Sequence, residues 1–204
     1  MEFKKIQLNG FKSFAEKTNF LIEDGLTGIV GPNGCGKSNI VESLRWVMGE
    51  TSAKSMRGSG MEDVIFSGTS NKASKNIAEV SIEVENKDKE GPIQYRGLEQ
   101  IQVRRKIEKD KGSKFYINDK EVRARDAQMF FADLSTGAHS PSMISQGRIG
   151  ALVTAKPTDR RAILEEAAGI AGLHVRRHEA ELRLGAAENN LKRADELRRQ
   201  QEKQ

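Results

Sequence analysis

Gly31-Pro32-Asn33-Gly34-Cys35-Gly36-Lys37-Ser38 is the stretch that decides the fold: Gly, four residues, then Gly-Lys-Ser. This is the pattern of a phosphate-binding loop. Glycines at 31, 34 and 36 permit backbone angles closed to other residues, which lets amide N–H groups close around phosphate oxygens. A helix starting near Lys37 adds its positive end, the Lys37 ammonium supplies a point charge for the β- and γ-phosphates, and the Ser38 hydroxyl is a ligand for magnesium. Pro32, Asn33, Gly34, Cys35, Gly36, Lys37, Ser38 and Asn39 are therefore the expected contacts of ATP and Mg2+.

Such a loop joins a strand to a helix, and both are expected here. Leu26-Thr27-Gly28-Ile29-Val30 predicts an apolar strand, and Ile40, Val41, Leu44 and Val47 recur at helical spacing within a helix from about Lys37 to Met48. Further out, Phe3 to Leu8 suits a strand, and Val80, Ile82 and Val84 alternate with Ser81, Glu83 and Glu85, the two-residue period of a half-buried strand. Ile101 to Ile107 and Lys114 to Ile117, with Asn118-Asp119 as a turn, extend this into a β-meander, and residues 123–135 read as a helix.

Beyond Pro157 the composition turns to Ala, Leu, Arg, Glu and Gln. Thr158 is the expected cap of one long helix beginning at Asp159. Ile170, Leu173, Arg177, Ala180, Leu184, Ala187, Leu191, Ala194 and Arg198 hold the heptad spacing of a coiled coil. The expected architecture is thus α/β: a head lobe with a mixed sheet and meander over residues 1–157, then a head-proximal helix and the start of a coil over 158–204. A helix running on to Gln204 predicts a fragment.

With 204 residues and 36% hydrophobic content the chain can bury one sizeable core. Lys and Arg outnumber Asp and Glu by 34 to 29, a mild excess compatible with a polyanionic partner. One Cys and three His exclude a disulfide framework. The start Met1-Glu2-Phe3-Lys4-Lys5-Ile6 is not a signal peptide, and no apolar run suits a membrane span. A cytoplasmic protein with no membrane partner is expected.

Gln146, in Ile144-Ser145-Gln146-Gly147-Arg148-Ile149, is a candidate for a metal and water contact, although an isolated glutamine is ordinarily a solvated or capping residue. Arg57 is a candidate guanidinium for the phosphates, against the reading of a surface arginine. Met129-Phe130-Phe131-Ala132-Asp133 has the outline of an acidic strand end, and Leu134-Ser135-Thr136-Gly137-Ala138 that of an ABC-type signature loop. No Glu follows Asp133 and the order is reversed, so neither is given a role. His174 and His178 lie one helical turn apart without an evident third ligand. The basic cluster Arg104-Arg105-Lys106, Lys109, Lys111, Lys114, Lys120, Arg123 and Arg125 suits either a solvated hairpin or a nucleic-acid backbone.

Taken in order, six pieces of the chain resemble the N-terminal head segment of the SMC (structural maintenance of chromosomes) ATPases. They are Gly10-Phe11-Lys12-Ser13-Phe14, the loop with Asn39-Ile40, Ser52-Ala53-Lys54-Ser55-Met56-Arg57-Gly58, Met61-Glu62-Asp63-Val64-Ile65-Phe66, Ile144-Ser145-Gln146-Gly147, and Arg160-Arg161-Ala162-Ile163-Leu164-Glu165-Glu166-Ala167-Ala168-Gly169. The run is most similar to bacterial condensin-type members. The resemblance implies a chromosome-organising, nucleoid-associated ATPase in which two heads, here of a homodimer, sandwich two ATP molecules. Its implied partners are a kleisin subunit, DNA and the C-terminal half of its own head, which would bring the signature loop and catalytic Glu. It makes Gln146 the Q-loop contact and Arg57 an arginine that reaches phosphate within its own head. DNA-repair ATPases of the Rad50 and RecN kind are the alternative, sharing loop and coil.

Overall fold

A computed structural model of the chain describes residues 1–87, 89, 92–134, 143, 150, 153–168 and 171–201. Its centre is a six-stranded sheet of β1 (Glu2–Asn9), β2 (Thr18–Leu21), β3 (Ile77–Glu85), β4 (Gln100–Glu108), β5 (Gly112–Ile117) and β6 (Lys120–Val122), in the order β2-β1-β3-β4-β5-β6. The expected alternation is what builds it. Ala78, Val80, Ile82 and Val84 of β3 stand opposite Ile107, Arg105, Val103 and Ile101 of β4, and all eight are buried. Helix α1 (Lys37–Val47) lays Ile40, Ser43, Trp46 and Val47 into that core, and α2 (Ala124–Asp133) adds Ala127, Phe130 and Phe131. The turn between β5 and β6 falls on Asn118 and Asp119, both at positive φ, as a two-residue hairpin of right-handed twist requires.

Gly10 ends β1 at φ 63°, and a Cβ there would lie 2.2 Å from the Ile77 carbonyl oxygen. The chain can turn here, under β3, only because that atom is missing. Gly10→Ala is expected to cost about 2 kcal/mol or more in urea denaturation, the sum of a left-handed alanine and a displaced strand end. A loss below about 0.5 kcal/mol would show that the turn relaxes freely.

Four expectations are corrected. Leu26–Val30 is not a strand: it pairs with nothing among the described residues, and Leu26 and Val30 are 96% and 92% exposed. Apolar β-branched residues favour a strand only where a neighbouring edge completes the ladder. As a consequence every pairing among the described residues is antiparallel, since the mixed sheet needed that strand. Third, the helix after Pro157 begins at the proline itself. Asp159 and Arg160 N–H donate to the Lys156 carbonyl, so Thr158 lies inside the first turn; proline's fixed φ is ready-made for that position. Finally, the single long helix is two, α3 (Pro157–Ala167) and α4 (Ala171–Gln201). Along α4 the heptad positions Arg177, Ala180, Leu184, Ala187, Leu191, Ala194 and Arg198 are all exposed. No helix among the described residues is long and apolar enough to cross a membrane.

Candidate functional site: a phosphate loop with a tethered arginine

The loop Gly31–Ser38 enters α1 through Gly36, which caps the helix in the left-handed conformation at φ 95°. Gly34 is also left-handed, at φ 83°. A Cβ at Gly36 would lie 2.9 Å from the Ser13 hydroxyl and close on the Phe14 ring. Both glycines are thus required by the path of the chain. The start of α1 has no side-chain cap and no acidic residue in its first turn, leaving its positive end uncompensated by protein.

Lys37 folds back across this loop. Its Nζ donates to the Gly31 carbonyl at 2.6 Å and the Pro32 carbonyl at 2.5 Å, and lies 3.8 Å from Cys35 Sγ. The cation and the helix end therefore belong to one small ring of backbone, with the Ser38 hydroxyl exposed beside it. An ammonium, a helix N-terminus and a hydroxyl are the donor set for a phosphate chain and the hard cation that travels with it. The residues present fit Mg-ATP. Among the described residues no cluster of three His, Cys, Asp or Glu offers a metal site of its own.

Arg57 sits at the end of the turn Lys54–Met56, at φ 52°. Its Nε forms an ion pair with Glu42 Oε1, and its Nη2 donates to Asn39 Oδ1 at 2.9 Å. Asn39 in turn donates to Ser13 Oγ at 2.8 Å. Glu42, only 6% exposed, also pairs through Oε2 with Lys12, whose ammonium reaches the Met56 carbonyl. Arg57 is thereby held against the first turn of α1, one residue beyond Ser38. The sequence names Arg57 and Asn39 as candidates but not Lys12, Ser13 or Glu42, which the structure brings into the same cluster. The available signal was Glu42 itself, the one acid of α1, next to Ser43 on the face that also carries Trp46.

Gln146 lies outside the described residues, as do Ser135 to Ala138. Asp133 ends helix α2, so the acidic strand end is excluded. The basic cluster is divided. Arg105 is buried, Arg104 pairs with Glu79 and Asp119, Lys111 with Glu108, Lys114 with Glu121 and Arg123 with Asp126. Arg104 also stacks 4.6 Å from the Tyr116 ring centre.

A phosphate loop opening the helix that packs beneath an antiparallel sheet, with a heptad helix behind it, defines the N-terminal lobe of a P-loop ATPase head. The chain belongs to the SMC proteins of the RecF/RecN/SMC N terminal domain family, whose model matches residues 2–148. It is 55% identical over 197 residues to the chromosome partition protein Smc of Cereibacter sphaeroides, covering 97% of this chain and 17% of that one. A solved structure described under ATP-driven dimerization and DNA-stimulated activation of SMC ATPases is 30% identical with a TM-score of 0.68, covering 82% of this chain and 99% of its own. The Smc head of Pyrococcus furiosus with an extended coiled coil, bound to the C-terminal domain of ScpA, is 32% identical with a TM-score of 0.73, covering 96% of this chain and 48% of its own. The chain thus spans about a sixth of the length of the curated relatives it matches.

Proposed function

We propose that this chain is the N-terminal, ATP-binding part of a chromosome-organising SMC ATPase, acting in chromosome condensation and segregation. The observation that carries the reading is the loop: Lys37 and the uncapped start of α1 share one ring of backbone. Lys37 holds the β- and γ-phosphates, Ser38 and Gln146 take the magnesium ion, and Arg57 serves the phosphates from within the same head. Residues 1–157 form the head lobe, and 158–204 the head-proximal helix and first part of the coil, whose exposed heptad seam suits a second coil strand. The partners are the C-terminal half of the same head, a second head of the same protein, a kleisin subunit in the manner of ScpA, and DNA. The setting is the cytoplasm, at the nucleoid. Rad50- and RecN-type repair ATPases are disfavoured by the relatives, which are chromosome partition proteins.

The test is ATP titration and turnover in the full-length protein, with and without DNA. Saturable ATP binding with DNA-stimulated turnover is expected, and the absence of ATP binding overturns the reading. Within the same assay Arg57→Ala is expected to lower turnover about 10-fold, and its DNA stimulation further, while ATP affinity changes less than about 3-fold. Unchanged DNA-stimulated turnover would return Arg57 to an ordinary surface arginine.

A further inference from the structure

Glu42 is the only acid of α1, and the helix buries it. A carboxylate is costly to bury unless its charge is met. Here both oxygens are met, Oε2 by Lys12 from the turn after β1 and Oε1 by Arg57 from the turn after α1. Lys12 and Arg57 are also two of the non-glycine residues at positive φ, at 47° and 52°. That conformation is unfavourable for either residue and persists where the surroundings over-determine it. The backbone is bent on both sides so that two cations converge on one carboxylate. Lys12 closes the figure by donating to the carbonyl of Met56, the residue before Arg57.

The grip leaves Arg57 usable. Nε is engaged by Glu42 and Nη2 by Asn39, but the side chain stays 57% exposed and its Nη1 donors remain for a charged ligand. An arginine loose in solvent would have to surrender rotamer freedom each time it served a phosphate. One already tethered has surrendered it on folding, and preorganisation of this kind appears in the rate of reaction rather than in ground-state affinity.

We propose that Glu42 is a positioning residue which, with Lys12 as its counter-charge, fixes the Arg57 guanidinium beside the first turn of α1 and so presents it to phosphate oxygens at the loop. The proposal rests on the nucleotide-binding reading above. Two variants of the full-length protein test it: Glu42→Gln, and the paired Lys12→Met with Glu42→Leu, which removes both buried charges at similar volume and keeps the fold if the single variant does not. Turnover is expected to fall about 5- to 10-fold with ATP affinity within about 3-fold of wild type. On an Arg57→Ala background the same changes are expected to add less than about 2-fold, because Glu42 acts only through Arg57. Independently of turnover, labelling of Arg57 by phenylglyoxal in nucleotide-free protein, read by mass spectrometry, is expected to rise about 3-fold or more as the tether is lost. Unchanged turnover, an undiminished effect on the Arg57→Ala background, or unchanged labelling overturns the proposal. Equal ATP affinity in wild type and Lys37→Ala would instead overturn the placing of nucleotide at this loop, on which the proposal rests.

Discussion

Lys37→Ala is expected to weaken ATP binding about 100-fold or more, equivalent to about 2.7 kcal/mol. In the structure the ammonium spans the Gly31 and Pro32 carbonyls, neutral acceptors of its own loop. A triphosphate offers formally charged oxygens at the same place, which add ionic attraction to a hydrogen bond of about 1.5–3 kcal/mol. The contact is made in the ground state, so its loss falls on affinity first, the opposite of the pattern expected for Arg57. Stability should hardly change, because the lysine's partners are exposed loop carbonyls that water can serve. Calorimetric titration of both proteins, with thermal unfolding as a control, checks this. Equal ATP affinity in wild type and variant would sink it.

The loop was legible because its pattern restricts residue type: Gly34 and Gly36 stand where φ is positive, and Lys37 and Ser38 follow at the start of α1. Strands β1, β3, β4 and β5 were legible because each has a buried and a solvated side. Edge strands β2 and β6 went unread. Thr18–Leu21 and Lys120–Val122 are four and three residues long, and each is a strand by virtue of the one neighbour it pairs with. The opposite error befell Leu26–Val30, whose residue types suit a strand while its surroundings in this chain supply no edge. In α1 the apolar spacing placed Val41 and Leu44 inward, yet the helix buries Glu42, Ser43 and Trp46 beside Ile40 and Val47, and leaves Val41 and Leu44 half-buried. Packing of Trp46 on Phe11, ring centres 5.4 Å apart, turns the helix toward the sheet along that side. The ion pairs of Glu42 with Lys12 and Arg57 join residues 30 and 15 positions away in sequence, and no local spacing records them.

The basic cluster shows how far charge counting can mislead, and yields the second large effect. Arg105 is 3% exposed and lies between the rings of Trp46 and Phe115, 4.5 and 4.6 Å from their centres. Its Nη1 donates to the Trp46 carbonyl at 2.7 Å and the Glu50 carbonyl at 2.6 Å, and its Nε to Ser113 Oγ at 2.7 Å. Those carbonyls belong to the end of α1 and the turn after it, where the Trp46 carbonyl also accepts from the Gly49 N–H at 3.2 Å and where a cation suits the helix's negative pole. Burial pushes the guanidinium down to about 10, partly opposed by the charge of Glu50, so it stays ionised at neutral pH. A base depressed in the folded state carries a cost that is fully present below that value and relieved only as pH rises through it toward the ordinary range of a guanidinium. Between about pH 6 and 9 this group therefore adds no pH dependence. Against that cost stand two desolvated cation–π contacts and the charge-assisted hydrogen bonds to the Trp46 and Glu50 carbonyls. Arg105→Ala is expected to destabilise the lobe by about 4 kcal/mol, and Arg105→Met, which keeps the packing between the rings, by about 2. Urea denaturation followed by fluorescence of Trp46, the single tryptophan, gives the measurement. An alanine variant within about 1 kcal/mol of wild type would mean that water replaces the guanidinium at those carbonyls. Because Arg105 meets the far end of α1 from Lys37, the folded fraction of either variant should bind ATP as wild type does.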